Sequence, residues 1–147
     1  MRWIQASGIF FMLMALACGS PRSVAPAQGM IFQTTASGLG IQDLREGEGP
    51  MPRVGQICVV EIRGWVEENG VKGRLFMDTR KRGFPDRFPL GVGRVIKGWD
   101  EGLATLKKGG LRLLRVPPTL GYSAAEAGSD IPTGSTLIFE VELVELR

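Results

Sequence analysis

There is no histidine in this chain, and there are only two cysteines, Cys18 and Cys58. Histidine is the usual general base at neutral pH and the commonest metal ligand. Its absence excludes Ser-His-Asp and Cys-His hydrolases, and two cysteines so far apart cannot assemble a zinc site. No metal and no cofactor is expected, and any catalysis has to run without a histidine proton shuttle. Long hydrophobic runs are also missing. The longest, Ile9 to Ala17, falls far short of the ~20 apolar residues that a permanent bilayer-spanning helix needs. The net charge is only +3. Its one basic cluster, Arg80, Lys81, Arg82 and Arg87, reads as a solvated loop, so no nucleic-acid partner is expected.

What the N-terminus does contain is an address. A short positive start (Met1, Arg2) precedes the apolar run, and small residues follow it, which is the pattern of a secretory signal peptide over residues 1–17. Ala15-Leu16-Ala17 suits ordinary signal peptidase. With Cys18 behind it, the same stretch resembles the lipobox of bacterial lipoproteins, in which the cysteine is lipidated. From there to residue 37 the chain is rich in Gly, Ser, Pro, Ala and Thr and lacks patterned hydrophobicity, as a flexible tether does. The reading is therefore a leader (1–17), a tether (18–37) and one domain (38–147), held by a lipid at Cys18 on the periplasmic face of a bacterial membrane. A cut after Ala27 is the alternative and would leave a soluble periplasmic or secreted protein. Cys58, in a strand-like run, is expected to be an inert core residue.

With 44% apolar residues, 21 glycines and 9 prolines, the remainder suits a β-rich domain with many tight turns. Ile57 to Val66 reads as a strand, and Leu111 to Val116 as another, stopped by Pro117-Pro118. Leu137, Phe139, Val141 and Leu143 alternate with Ile138, Glu140 and Glu142, the period of a half-buried antiparallel strand. Trp99, Leu103 and Leu106 recur at helical spacing between Gly98 and a Lys107-Lys108-Gly109 stop. The expected fold is α+β: a twisted antiparallel sheet wrapping one short amphipathic helix. Nothing in the sequence points to dimerisation, so a monomer is expected.

Four ordered blocks in this domain carry a resemblance. Val95-Ile96-Lys97-Gly98-Trp99-Asp100-Glu101-Gly102 is similar to the V-I-x-G-W-[DE]-[EQ]-[GA] signature of FKBP-type peptidyl-prolyl isomerases. Gly55 to Val60 resembles that family's first core strand, and Pro118 to Ser123 sits where it has P-x-x-A-Y-G. Ile131 to Leu143 resembles its closing I-P-P-x-[AS]-T-L-x-F-x-V-E-L. The resemblance implies isomerisation of X-Pro bonds in proline-containing segments of exported proteins, with macrolide inhibitors of the family as further ligands. It also assigns parts. Trp99 would be the floor under the proline ring, and Val95 and Ile96 the wall, with the Ile96 N–H donating to a substrate carbonyl. Tyr122 would bond the substrate backbone at the rim, Phe139 and Ile131 would close the far side, Phe76 would face the proline, and Asp78 would lie near the rotating carbonyl.

On periodicity alone Trp99, Val95 and Phe139 are equally well core residues, and Ile131 could simply pack a turn. This chain also departs from the family pattern. Ile62 stands in place of a pocket tyrosine, and Asp86 in place of a pocket phenylalanine, for which the nearby Phe84 is the candidate substitute. Phe76-Met77-Asp78-Thr79 fits the family's F-D-[ST] in two registers, one putting Phe76 and the other Met77 in the pocket. Two other readings stay open: a proline-binding, chaperone-like module with weak or no catalysis, and a structural surface lipoprotein.

Overall fold

A computed structural model describes residues 29–123 and 126–147 of the protein. Residues 1–17, read above as a leader, Cys18 and the stretch read as a tether as far as Gln28 lie outside the described residues. Seven strands, β1 (Gln33–Thr34), β2 (Gly40–Arg45), β3 (Ile57–Glu68), β4 (Val71–Asp78), β5 (Asp86–Pro89), β6 (Leu111–Val116) and β7 (Leu137–Leu146), form one antiparallel sheet. Its order is β1-β2-β6-β7-β3-β4, with β5 also paired to β3. Two short helices, α1 (Thr79–Arg82) and α2 (Lys97–Gly102), complete the α+β fold.

The period-2 pattern of β7 becomes the core. Leu137, Phe139, Val141 and Leu143 are all at most 1% exposed, while Glu140 and Glu142 on the other face pair with Arg63, Lys72, Arg45 and Arg80. Ile138 belongs to the outward set by period yet is fully buried; its register neighbours are Trp65 and Arg115. β6 and β3, the neighbours of β7 in the sheet, extend the same buried face through Val60, Ile62, Leu114 and Val116, each at most 1% exposed. At roughly 25 cal/mol per Å² of apolar surface, this closed cluster is the chief source of stability.

α2 lies against β6 through its glycines. A Cβ at Gly98 would stand 2.8 Å from Val116 Cγ1, and one at Gly102 would stand 2.6 Å from Leu114 Cδ2. The helix is shorter than the spacing of Trp99, Leu103 and Leu106 predicts, because it ends at Gly102. There the buried guanidinium of Arg112 takes over: its Nη1 donates to Gly102 O at 2.7 Å, and its Nε and Nη2 grip Asp43 at 2.6 and 3.0 Å. Leu103 and Leu106 still reach the core, at 1% and 2% exposure, from the turns that follow. α1 has no hydrophobic period and was not expected. Capping makes it, since Asp78 accepts from the N–H groups of Arg80 and Lys81 at 3.0 and 3.1 Å, as N-cap carboxylates do.

The domain also begins earlier than Gly38. Gln33 and Thr34 pair with Ile41 and Gly40. Thr35 and Ser37 donate their hydroxyls to the Glu101 carboxylate at 2.7 to 2.8 Å. Residues 33–37, assigned to the tether by composition, are thus part of the sheet and its edge.

Candidate functional site

The side chains singled out by sequence come together on the concave side of the sheet, in two layers. The lower layer is aromatic. Phe88 stacks on Trp99 with centroids 5.6 Å apart, Trp99 meets Phe139 edge-on at 5.2 Å, and Phe139 meets Phe76 edge-on at 5.7 Å. Gly64 of β3 permits the last pair: a Cβ there would come within 2.9 Å of both Phe139 and Phe76. Trp99 is 4% exposed and Phe139 0%. The Trp99 Nε1–H, though buried, has no protein partner among the described residues. Ile62 is also fully buried, so at this position the chain adds apolar core and no hydroxyl.

The upper layer is half-buried. Phe76, Met77, Val95, Ile96, Tyr122 and Ile131 all pack against the core that holds Trp99 and Phe139 while keeping part of their surface open. In the ladder Met77 pairs with Gly64 and Leu75 with Trp65, which leaves Phe76 at an irregularity between them, with its ring on Phe139. Met77 nevertheless packs beside it.

Asp78 caps α1: its Oδ1 accepts from the Arg80 and Lys81 N–H groups at 3.0 and 3.1 Å, at the end of the strand that carries Phe76. Phe84 does not replace the phenylalanine absent at Asp86. It is 57% exposed, with the Arg82 guanidinium 4.2 Å above its ring, and Asp86 is ion-paired to Arg82.

Tyr122 carries the electrostatics of this layer. Burial, and then the carboxylates of Asp86 and Glu126, push its phenol up to about 12. It is therefore a neutral hydroxyl, able to donate, across the physiological range. Beside it runs a groove of about 660 Å³ lined by Gly93 to Lys97 with Asp100 on one side, and by Pro118, Thr119, Gly121, Tyr122, Ser123 and Glu126 on the other. Val95, Ile96 and Tyr122 border this groove, whereas Trp99, Phe139, Phe76 and Ile131 do not. The aromatic layer thus lies beside and beneath the open volume.

Sequence reasoning missed Asp100, which organises the approach. Its two carboxylate oxygens accept from the Gly91 and Gly93 N–H groups at 2.7 and 3.0 Å. That fixes the loop leading into Val95-Ile96 against α2. Ile96 is fixed from the other side, its carbonyl accepting from Trp99 and Asp100 N–H at 3.0 and 3.2 Å. The signal was present as the aspartate of the Gly-Trp-Asp run, but its partners are backbone groups that no side-chain pattern reveals. Among the described residues, the aromatic layer and the half-buried apolar set above it contain no nucleophile–base pair. They offer an apolar, aromatic-backed surface edged by the neutral hydroxyl of Tyr122.

Comparison with known proteins agrees with this geometry. The family described as FKBP-type peptidyl-prolyl cis-trans isomerase matches residues 49–144. The "FK506-binding protein" of Neisseria meningitidis serogroup B is 48% identical over 109 residues, covering 74% of this chain and 96% of its own. "FK506-binding protein 1" of Dictyostelium discoideum is 44% identical over 110 residues, covering 75% and 99%. Among solved structures, AtFKBP13 superimposes with a TM-score of 0.71 at 36% identity, covering 80% of this chain and all of that one. FkpA from Escherichia coli gives 0.70 at 37% identity, covering 82% of this chain and 52% of its own.

Proposed function

The chain belongs to the FKBP-type peptidyl-prolyl cis-trans isomerase family, and we propose that it turns X-Pro bonds over the half-buried apolar layer backed by Trp99 and Phe139. The barrier to that rotation is ~18–20 kcal/mol, because resonance keeps the amide planar and polarised. Twisting the C–N bond removes the resonance and with it part of the charge separation. A surface that is apolar and largely dry therefore favours the twisted amide over either planar form, which is differential binding of the transition state. No proton has to move, so a site without histidine suffices.

In this reading the proline ring rests toward Trp99, between Val95, Ile96 and Phe76. The Ile96 N–H and the Tyr122 hydroxyl hold the substrate backbone, and Ile131 and Phe139 close the far side. Ile62 contributes from beneath as apolar packing. The observation that carries the proposal is the two-layer arrangement itself: a set of half-open apolar side chains resting on a continuous aromatic cluster. Because several relatives are named for FK506, macrolides of that kind are proposed as ligands of the same surface. The test is catalysis of cis-to-trans relaxation in an X-Pro peptide, with FK506 added as competitor. Acceleration that FK506 abolishes is expected; an uncatalysed relaxation would overturn the reading.

The clients are proposed to be exported proteins, met at the periplasmic face of a membrane to which a lipid on Cys18 tethers a monomeric domain. The support is the Ala15-Leu16-Ala17-Cys18 junction and the unpatterned stretch behind it. Cys18→Ser is expected to release the protein from the membrane fraction or leave it unprocessed. A mature protein beginning unmodified at Gln28 would refute the anchor.

A further inference from the structure

The groove beside Val95 and Ile96 is larger than one proline requires. At about 660 Å³ it falls in the range that accepts a drug-sized ligand, so it has room for the residues flanking the proline as well. Its charges are not equivalent. Arg94 and Lys97, which bracket Val95-Ile96 in sequence, both line it and both are exposed. Neither has a carboxylate within ion-pair distance among the described residues. The two carboxylates lining the same groove are already engaged. Asp100 is held by the Gly91 and Gly93 N–H groups, and Glu126 accepts the Ser123 N–H at 3.0 Å and the Ser123 hydroxyl at 2.6 Å.

Resting on the isomerase reading, we propose that Arg94 and Lys97 select polypeptide segments that carry an acidic side chain within a few residues of the proline. Two cations without partners at the edge of a peptide-sized groove are complementary to an incoming carboxylate. The two anions of the groove keep their charge, but their oxygens are held by backbone N–H groups and a hydroxyl and make no ion pair with either cation. Charge complementarity of this kind governs specificity and encounter more than raw affinity.

The experiment compares full-length protein acting on three peptides of one sequence in which the residues flanking proline are Glu, Gln or Lys, with cis–trans exchange followed by NMR. The Glu peptide is expected to exceed the Gln peptide in kcat/KM by about two- to tenfold at low ionic strength, the range given by one or two exposed ion pairs. The Lys peptide should fall below Gln. The difference should shrink toward 1 M salt, where screening acts within about 3 Å. Arg94→Gln with Lys97→Gln should bring the Glu-to-Gln ratio close to unity, and Arg94→Glu with Lys97→Glu should reverse the order in favour of Lys. Arg94→Lys with Lys97→Arg should retain it. Equal acceleration of all three peptides by the wild type would refute the selectivity and leave the isomerase reading intact. A ratio that survives the double glutamine substitution would refute the assignment to these two residues. No acceleration of any peptide would sink the isomerase reading, and this inference with it.

Discussion

Replacing Trp99 by leucine separates a floor under substrate from mere core packing. The indole is 4% exposed and makes two aromatic contacts, stacked on Phe88 at 5.6 Å and edge-on to Phe139 at 5.2 Å. Pairs of this kind contribute about 0.5–1.5 kcal/mol each beyond their buried area, so about 1–3 kcal/mol goes with the ring. Leucine also fills less volume, and large-to-small core changes that go all the way to alanine cost about 3–5 kcal/mol for tryptophan. One contribution runs the other way. The indole Nε1–H is buried without a protein partner among the described residues, and removing an unsatisfied buried donor recovers about 1–3 kcal/mol. The net expectation is a loss of about 2–4 kcal/mol, which a domain stable by about 5–15 kcal/mol survives. Trp99→Phe keeps a ring and removes the orphan donor, so it should cost clearly less. In the peptide assay, losing about 1.4 kcal/mol or more of stacking on the twisted proline lowers kcat/KM by about tenfold or more. The measurements are denaturant unfolding, circular dichroism at assay temperature and the rate of cis-to-trans relaxation. A folded Trp99→Leu protein with the wild-type rate would show that the proline ring does not rest on this side chain.

Three further outcomes are expected. Tyr122 should ionise near pH 12 in the folded protein against about 10 in the unfolded chain, read by phenolate absorbance, and Asp86→Asn should lower the folded value. Because the folded value is the higher one, this group's contribution to stability is complete below pH 10 and is lost as the pH rises from 10 to 12; a phenol titrating near 10 in the native state would contradict its burial. Cys58 is fully buried and its thiol is pushed up to about 11 by that burial, so at pH 8 it should resist thiol reagents until the protein unfolds, and prompt labelling of native protein would refute this. A chain starting at Gly38 should be less stable than one starting at Gly29 by about 1–3 kcal/mol, since it lacks β1 and the two hydroxyls on Glu101; equal denaturant midpoints would restore residues 33–37 to the tether.

What could be read from sequence was whatever is encoded over short range. β6 has the bounds Leu111–Val116 that its apolar run and the prolines behind it predict. The alternation of β7 names the inward residues, because side chains in a strand change face at every step. The ordered blocks around Trp99, Tyr122 and Phe139 pointed to the family, and the absence of histidine already excluded chemistry that depends on a histidine proton shuttle.

The remainder depends on partners distant in the chain. β1 is a strand only because Gly40 and Ile41 lie beside it, and composition alone made it tether. α2 stops at Gly102 because Arg112, from a strand that follows, claims the carbonyl, whereas the apolar spacing runs on to Leu106. The cap that Asp78 makes on α1 has backbone N–H groups as partners, which no side-chain pattern reveals. Phe76 meets Phe139 at the irregularity opposite Gly64, with Met77 packed beside it, and Asp86 was brought near Tyr122 by the pairing of β5 with β3. Periodicity reports which side of its own element a residue faces. What stands opposite is set by the register of the sheet, as the pairing of Met77 with Gly64 and of Asp86 with Val60 shows.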